Sequence, residues 1–271
     1  PARWSQSVVK TELIDKGYLC PIVLKALPVN IDLSNVSSVA GDFHAGQTHQ
    51  ALEPLLRDIA KQIKIHASDR KVAVFLPLVE TSRIFAAICR EEGIDADWVS
   101  GARHDRENVL KKFKKAKTGL LANAQLISEG FDMPSIDAVC ILRPTRSTSF
   151  YQQCAGRGTR LHPGKKNLLL LDFLYHHERH NLVRPANLFT DNQDVADIIT
   201  RRSTEVAGTE MDLDSLERDA VNERHRSLEA AIAANRRRAA KTIDPVALSL
   251  AFNNLGAAEY RPTVDWHKQP V

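Results

Sequence analysis

The sequence predicts an α/β fold: a mostly parallel sheet with helices on both faces, followed by a helical appendix. Three observations carry that expectation. Short runs at 71–76, 119–122, 138–142 and 168–171 are apolar almost throughout, the pattern of strands covered on both faces. Longer segments with helical periodicity lie between them, and this alternation is what parallel sheets with crossover helices require. Beyond about residue 191 the strand signals fade and charged residues take over, most densely across 212–241.

Taken in order, residues 1–45 hold short apolar runs such as 18–27, broken by Pro21 and Pro28, and read as a connector with one or two extended segments. Residues 46–190 form the main lobe. Within it 52–65 is helix-periodic, 71–76 a strand, 79–92 a helix, 96–99 a short strand, and 106–115 a basic amphipathic helix. Strands follow at 119–122 and 138–142, then a turn at Pro144, a helix over 150–155, and a strand at 168–171. Residues 191–271 read as a helical accessory region of one or two solvated helices. Its apolar positions Leu213, Leu216, Ala220, Leu228 and Ile232 keep helical spacing, with Arg224 interrupting the stripe. Arg236, Arg237, Arg238 and Lys241 read as a solvated helix end.

Bulk properties exclude several classes. At 271 residues with 43% hydrophobic and 26% charged residues the chain reads as globular, and no apolar run approaches the roughly 20 residues of a membrane span. The net charge is only +4, yet it is unevenly spread. Seven Lys and Arg face two acids between 101 and 117, and six face none between 143 and 166, which makes two patches suited to a polyanion. Cys20, Cys89, Cys140 and Cys154 form no CxxC pair, so neither zinc nor a disulfide framework is expected, and a reducing cytoplasm fits. The first residue is Pro1 and no signal-peptide pattern follows, which suggests a piece of a longer protein.

The stretch QQCAGRGTRLHPGK, 152–165, sets Arg157, Arg160 and Lys165 among glycines with no carboxylate beside them. Arg157 and Arg160 lie three residues apart, so they share a face if the preceding helix persists through them. Such guanidinium forks suit an anion at a domain edge. The stretch is not a phosphate-binding P-loop. Gly158 to Gly164–Lys165 is one residue too long, Lys166 stands where a magnesium-binding Ser or Thr is needed, and the strand comes after the loop rather than before. No GK[ST], DExH or DExD motif occurs elsewhere, and no GxGxxG follows a strand. His176, His177 and His180 read as the start of a helix after a strand ending at Asp172, and no metal site is assigned to them.

Two motifs make a family resemblance specific. Gln153-Cys-Ala-Gly156-Arg157-Gly-Thr-Arg160 resembles the QxxGRxxR motif VI of superfamily 2 helicases, and Leu126-Ile-Ser128-Glu129-Gly130-Phe-Asp132-Met-Pro134 resembles their motif V. Residues 72–78 are similar to the motif IV strand, and Ser100-Gly101 with Arg106 and Phe113 to the block between. The flavour is that of DExH-type bacterial and phage DNA helicases and restriction-enzyme motor subunits. The resemblance implies a RecA-like second motor lobe whose partner, an N-terminal RecA-like lobe in the same gene or a separate subunit, holds most of the ATP and Mg2+. It implies Arg160 as arginine finger, Arg157 as a second γ-phosphate contact or a partner for the DExH segment, and Gln153 as nucleotide sensor or as a coupling to the opposite lobe. Glu129, Gly130 and Asp132 fall at the nucleotide edge, where Asp132 accepts from the ribose or, alternatively, caps the turn before Pro134. Ser100, Gly101, Arg103 and Ser128 fall on the nucleic-acid track; where this chain has Ala124 in place of a family threonine, a phosphate contact is either absent or supplied by Asn123. Arg143, Arg146 and Lys165 extend that track. Single-stranded or duplex DNA is the expected substrate, ahead of RNA, with no membrane partner. The chain by itself is expected to bind nucleic acid weakly and to hydrolyse no ATP. The alternative is a non-enzymatic binding or regulatory module derived from such a lobe.

Overall fold

The structure, a computed structural model, describes residues 12–124, 133–176 and 182–242. The chain divides into two compact units, 1–222 and 223–271. Apolar strands dictate the first. β4 (Lys71–Phe75), β6 (Gly119–Asn123) and β7 (Ala138–Ile141) are buried at every position, as the continuous apolar runs require. With β1 (Ile22–Asp32), β5 (Ala96–Val99), β8 (Leu168–His176) and β9 (Met211–Asp212) they form one sheet in the order β5-β6-β4-β7-β8-β1-β9. Every pairing in it is parallel except β1 with β9. A small hairpin, β2 (Ser38–Val39) and β3 (Asp42–Phe43), stands apart from it.

Side chains alternate between the two faces of the sheet and seed two cores. Ala73, Phe75, Leu168 and Leu170 belong to the first, while Val72, Val74, Leu169 and Leu171 belong to the second. The first core is closed by α4 (Arg106–Lys115), α5 (Thr148–Gly156), α6 (Gln193–Glu205) and the start of α7 (Leu213–Thr242) through residues such as Phe113, Cys154, Ile199 and Leu213. The second is closed by α1 (Ala45–Leu52), α2 (Leu56–Ala67) and α3 (Val79–Glu91) through Leu52, Ile59 and Phe85. Caps mark where these helices begin. The side chains of Ser147 and Asn192 accept from the amides of Phe150 and Val195, satisfying orphan donors at the starts of α5 and α6.

Several sequence expectations need adjusting. The helix expected over 52–65 is broken: α1 ends at Leu52, a single 3-10 turn covers Glu53–Leu55, and α2 starts at Leu56. Pro54, which has no amide hydrogen to give the ladder, sits at the start of that turn. The extended segment expected among 1–45 is an 11-residue strand paired with β8 from Ile22↔Leu168 to Asp32↔His176. That partner also carries β8 past Asp172 to His176, so the strand does not end where the histidines were expected to open a helix; His177 and His180 lie outside the described residues. In the charged C-terminal zone Val195, Ala196, Ile199, Leu213 and Ala220 are core residues, so only part of that zone is solvated. In the second unit, Leu228 and Ile232 are exposed on α7. Among the described residues no helix is long and apolar enough to cross a membrane. All four cysteines are free and buried, and burial pushes their thiols up, that of Cys89 to about 12.

Candidate functional site

Parallel strands give the sheet two distinct edges, and the candidate residues divide between them. At the edge where strands begin, α5 has run back across the sheet and ends at Gly156. Arg157 is its C-cap rather than a helical residue, so Arg157 and Arg160 do not share a helical face as expected. They sit instead on a tight turn. Thr159 is buried, its hydroxyl donates to Gly156 O at 3.1 Å, and its carbonyl accepts from the Cys20 amide at 2.9 Å. Leu19 and Arg160 form an isolated antiparallel bridge. Residues 19 and 20, just before β1, thus clamp the arginine turn to the sheet, and nothing in their sequence announced that.

Lys165 holds the same turn from the other side. Its ammonium donates to Ile136 O and Gly158 O at 2.5 Å, to Arg160 O at 3.0 Å and to Pro134 O at 3.2 Å. Burial pushes its pKa below the ordinary lysine value, and the ring of carbonyls compensates an ammonium that pairs with no carboxylate among the described residues. The expected place of Lys165 on the nucleic-acid track is therefore corrected, because its charge is spent inside the lobe. Gly158 explains why the turn can lie so close to the sheet. A Cβ there would collide with Leu168 and sit 3.0 Å from Val139 Cγ2. Gly158→Ala should lower stability by about 1–3 kcal/mol, read by chemical denaturation, and an unchanged midpoint would contradict the close approach.

The outcome is a rigid frame carrying two guanidiniums, Arg157 half-buried and Arg160 exposed. Gln153, exposed one turn earlier, bonds Ser149 Oγ at 3.3 Å. The two guanidiniums can meet phosphate oxygens but, as cationic donors, offer no ligand to Mg2+. Glu129, Gly130 and Asp132, expected beside it, lie outside the described residues, as does Ser128.

The opposite edge, about 16 Å away along the five residues of β4, carries the remaining candidates. Ser100 and Gly101 turn away from the end of β5 with Gly101 exposed. Arg103 does not reach outward beside them. Its guanidinium pairs with Asp97 and Asp105, both at 2.6 Å, donates to the Trp98 carbonyl, and stacks on the Trp98 ring at 4.6 Å. It shapes the turn rather than extending it. Asn123 is only 1% exposed and donates to Val74 O at 3.0 Å, so it braces β6 against β4 inside the lobe and cannot replace a phosphate-binding threonine. Arg146 is half-buried over the Phe43 ring at 5.1 Å, and its amide bonds Asp42 at 3.0 Å, which ties this edge to the hairpin. Arg143 stacks on Phe150 at 4.7 Å.

Comparison with known proteins agrees with this arrangement. Residues 54–162, from the turn before α2 to just past the arginine turn, match the helicase conserved C-terminal domain. The chain is 30% identical over 170 residues to the Saccharomyces cerevisiae protein named "Putative ATP-dependent helicase IRC3", covering 60% of this chain and 25% of that one. It is 29% identical over 173 residues to a 51.5 kDa protein of a Lactococcus phage, covering 63% and 38%. The chain thus spans well under half the length of either relative. Among solved structures it is similar to a fragment of a "putative HsdR subunit" of a type I restriction enzyme from Vibrio vulnificus, at 23% identity and a TM-score of 0.47 over 60% of this chain and 33% of that one. The chain thus carries a helicase conserved C-terminal domain over residues 54–162, the stretch that includes the arginine turn.

Proposed function

We propose that the chain is the second motor lobe of an ATP-dependent DNA helicase or translocase, completing an ATP site whose P-loop and Mg2+ ligands a first lobe supplies. The observation that carries this reading is the clamped turn at one edge of the sheet, which offers Arg157 and Arg160 on a frame fixed by residues 19–20 and Lys165. Arg160 reaches the γ-phosphate when the cleft closes and stabilises charge developing there, because a guanidinium already positioned costs no reorganisation during the reaction. Arg157 makes a second contact with the phosphate, and Gln153 reports nucleotide state to the other lobe. Glu129, Gly130 and Asp132 complete the nucleotide edge.

At the far edge, Ser100, Gly101 and Ser128 hold the sugar-phosphate backbone through amides and hydroxyls, a mode that reads no sequence. Arg146 adds charge to that edge. Closure and opening of the cleft then alternate the grip on a single strand and move the protein along it. DNA is preferred to RNA on the SEGFD and GRGTR forms of motifs V and VI, although one relative, of 22% identity, is named an ATP-dependent RNA helicase.

The test is ATP turnover of the chain combined with its P-loop lobe, measured alone and with single-stranded DNA or RNA. Turnover stimulated more by DNA than by RNA supports the reading. A complete two-lobe protein without nucleic-acid-dependent turnover would favour the non-enzymatic alternative.

A further inference from the structure

β8 continues beyond the end of β7, and Asp172 lies one residue past their last pair, Cys140↔Leu171. A cleft of about 260 Å3 opens there, lined by the apolar residues Ile141, Tyr151 and Val183 and by the charged Asp172, Arg143 and Arg184. It sits outside the carboxyl ends of parallel strands, where open α/β sheets bind ligands. Its volume falls just below the roughly 300–1,000 Å3 of pockets for drug-sized molecules, which suits one flat heterocycle.

Asp172 is the anomaly. Among the described residues nothing hydrogen-bonds its carboxyl. Burial pushes its pKa up to about 7, with Arg184 drawing it back down. Arg184 has its own partner in Asp197, 3.8 Å away, and Arg143 is stacked on Phe150. Asp172 is half-buried at this cleft, so its carboxyl oxygens are open to a donor that enters it.

We propose that this cleft receives one unstacked nucleobase, with the Asp172 carboxylate accepting from its Watson–Crick edge and guanine preferred. Guanine alone presents two adjacent donors, N1–H and the N2 amino group, that match both carboxylate oxygens. Cytosine and adenine offer one amino group and thymine one imide. The Tyr151 ring, in the core on the same face of the sheet as Asp172, supplies the apolar contact that splayed-out bases find in single-strand recognition. Arg143 and Arg184 at the same cleft are placed for the phosphates flanking that base. The inference rests on the proposed track along this edge: in the strand order β8 is four positions from β5, whose end carries the Ser100–Gly101 turn, about 19 Å at roughly 4.8 Å per strand.

The experiment measures fluorescence anisotropy of short labelled single strands with the 271-residue chain, at low salt and about pH 8 so that the carboxyl is ionised. One strand is all thymine; the other carries single guanines at every third position. The guanine strand is expected to bind about tenfold tighter, and Asp172→Asn to abolish the difference while leaving the thymine strand unaffected. Thr204→Trp, an exposed position lining the cleft, should abolish the difference too without touching the carboxyl, which covers the case in which Asp172→Asn disturbs folding. Equal affinity for both strands would overturn the base pocket, leave the nucleic-acid track standing, and assign the cleft to a protein side chain. Binding of neither strand would overturn the track and the pocket together.

Discussion

Arg160→Ala in the assembled two-lobe motor should lower ATP turnover by about 10³- to 10⁵-fold, the usual worth of an arginine finger, with little change in the affinity for ATP. The split matters. A finger acts on charge that develops in the transition state, whereas the resting nucleotide is held mainly by the P-loop lobe, so the loss belongs in kcat. Alanine keeps what the Arg160 backbone gives the fold, the bridge to Leu19 and the carbonyl that accepts from Lys165 at 3.0 Å. Melting of the alanine variant, measured beside its turnover, separates a catalytic loss from a structural one. Arg160→Lys should recover little, because an ammonium cannot span two phosphate oxygens as the guanidinium fork does. A variant that keeps full nucleic-acid-stimulated turnover would remove Arg160 from the catalytic role, and a variant that loses turnover together with stability would make its role structural.

The layers of the fold were legible because they follow from local pattern. Continuous apolar runs at 71–76, 119–122 and 138–142 could only be strands covered on both faces, and the structure buries β4, β6 and β7 at every position. What local pattern could not reveal was pairing across long sequence separations. Ile22–Asp32 reads as a fragment between two prolines until β8 lies beside it, and β8 itself reads as ending early until β1 extends it. The site divides in the same way. Motif spacing singled out Arg157 and Arg160, but charge alone could not show which of the other cations the fold consumes. Arg103 and Lys165 look alike in sequence to any surface cation, and only the neighbouring Asp97, Asp105 and carbonyl oxygens show where their charge goes. Asn123 was misplaced for the opposite reason: a polar residue at a strand end suggests a surface, whereas here it bonds across to Val74 and is buried.

Lys165→Met separates those two fates of a cation by their different signatures. If Lys165 contacted phosphate, its loss would leave stability alone and reduce the salt slope of nucleic-acid binding by about one unit. As the centre of a carbonyl ring it should do the reverse. Methionine matches the length and volume of the stem but donates nothing, so the carbonyls of Pro134, Ile136 and Arg160 lose this donor, while Gly158 O keeps only the weak Cys20 thiol at 3.6 Å. Hydrogen bonds to charged groups contribute about 1.5–3 kcal/mol each, but the acceptors share one ammonium and part of the ring lies open to water, which brings the expected loss to about 2–4 kcal/mol. At about 2–4 °C per kcal/mol for a domain of this size, melting should fall by roughly 5–15 °C. Because the same ammonium ties the segment after motif V to the arginine turn, the loosened frame should also lower ATP turnover in the assembled motor, even though Arg157 and Arg160 are both present. Unchanged melting with a shallower salt slope would return Lys165 to the nucleic-acid track. The arginine turn would then have to be held by Leu19, Cys20 and Thr159 alone.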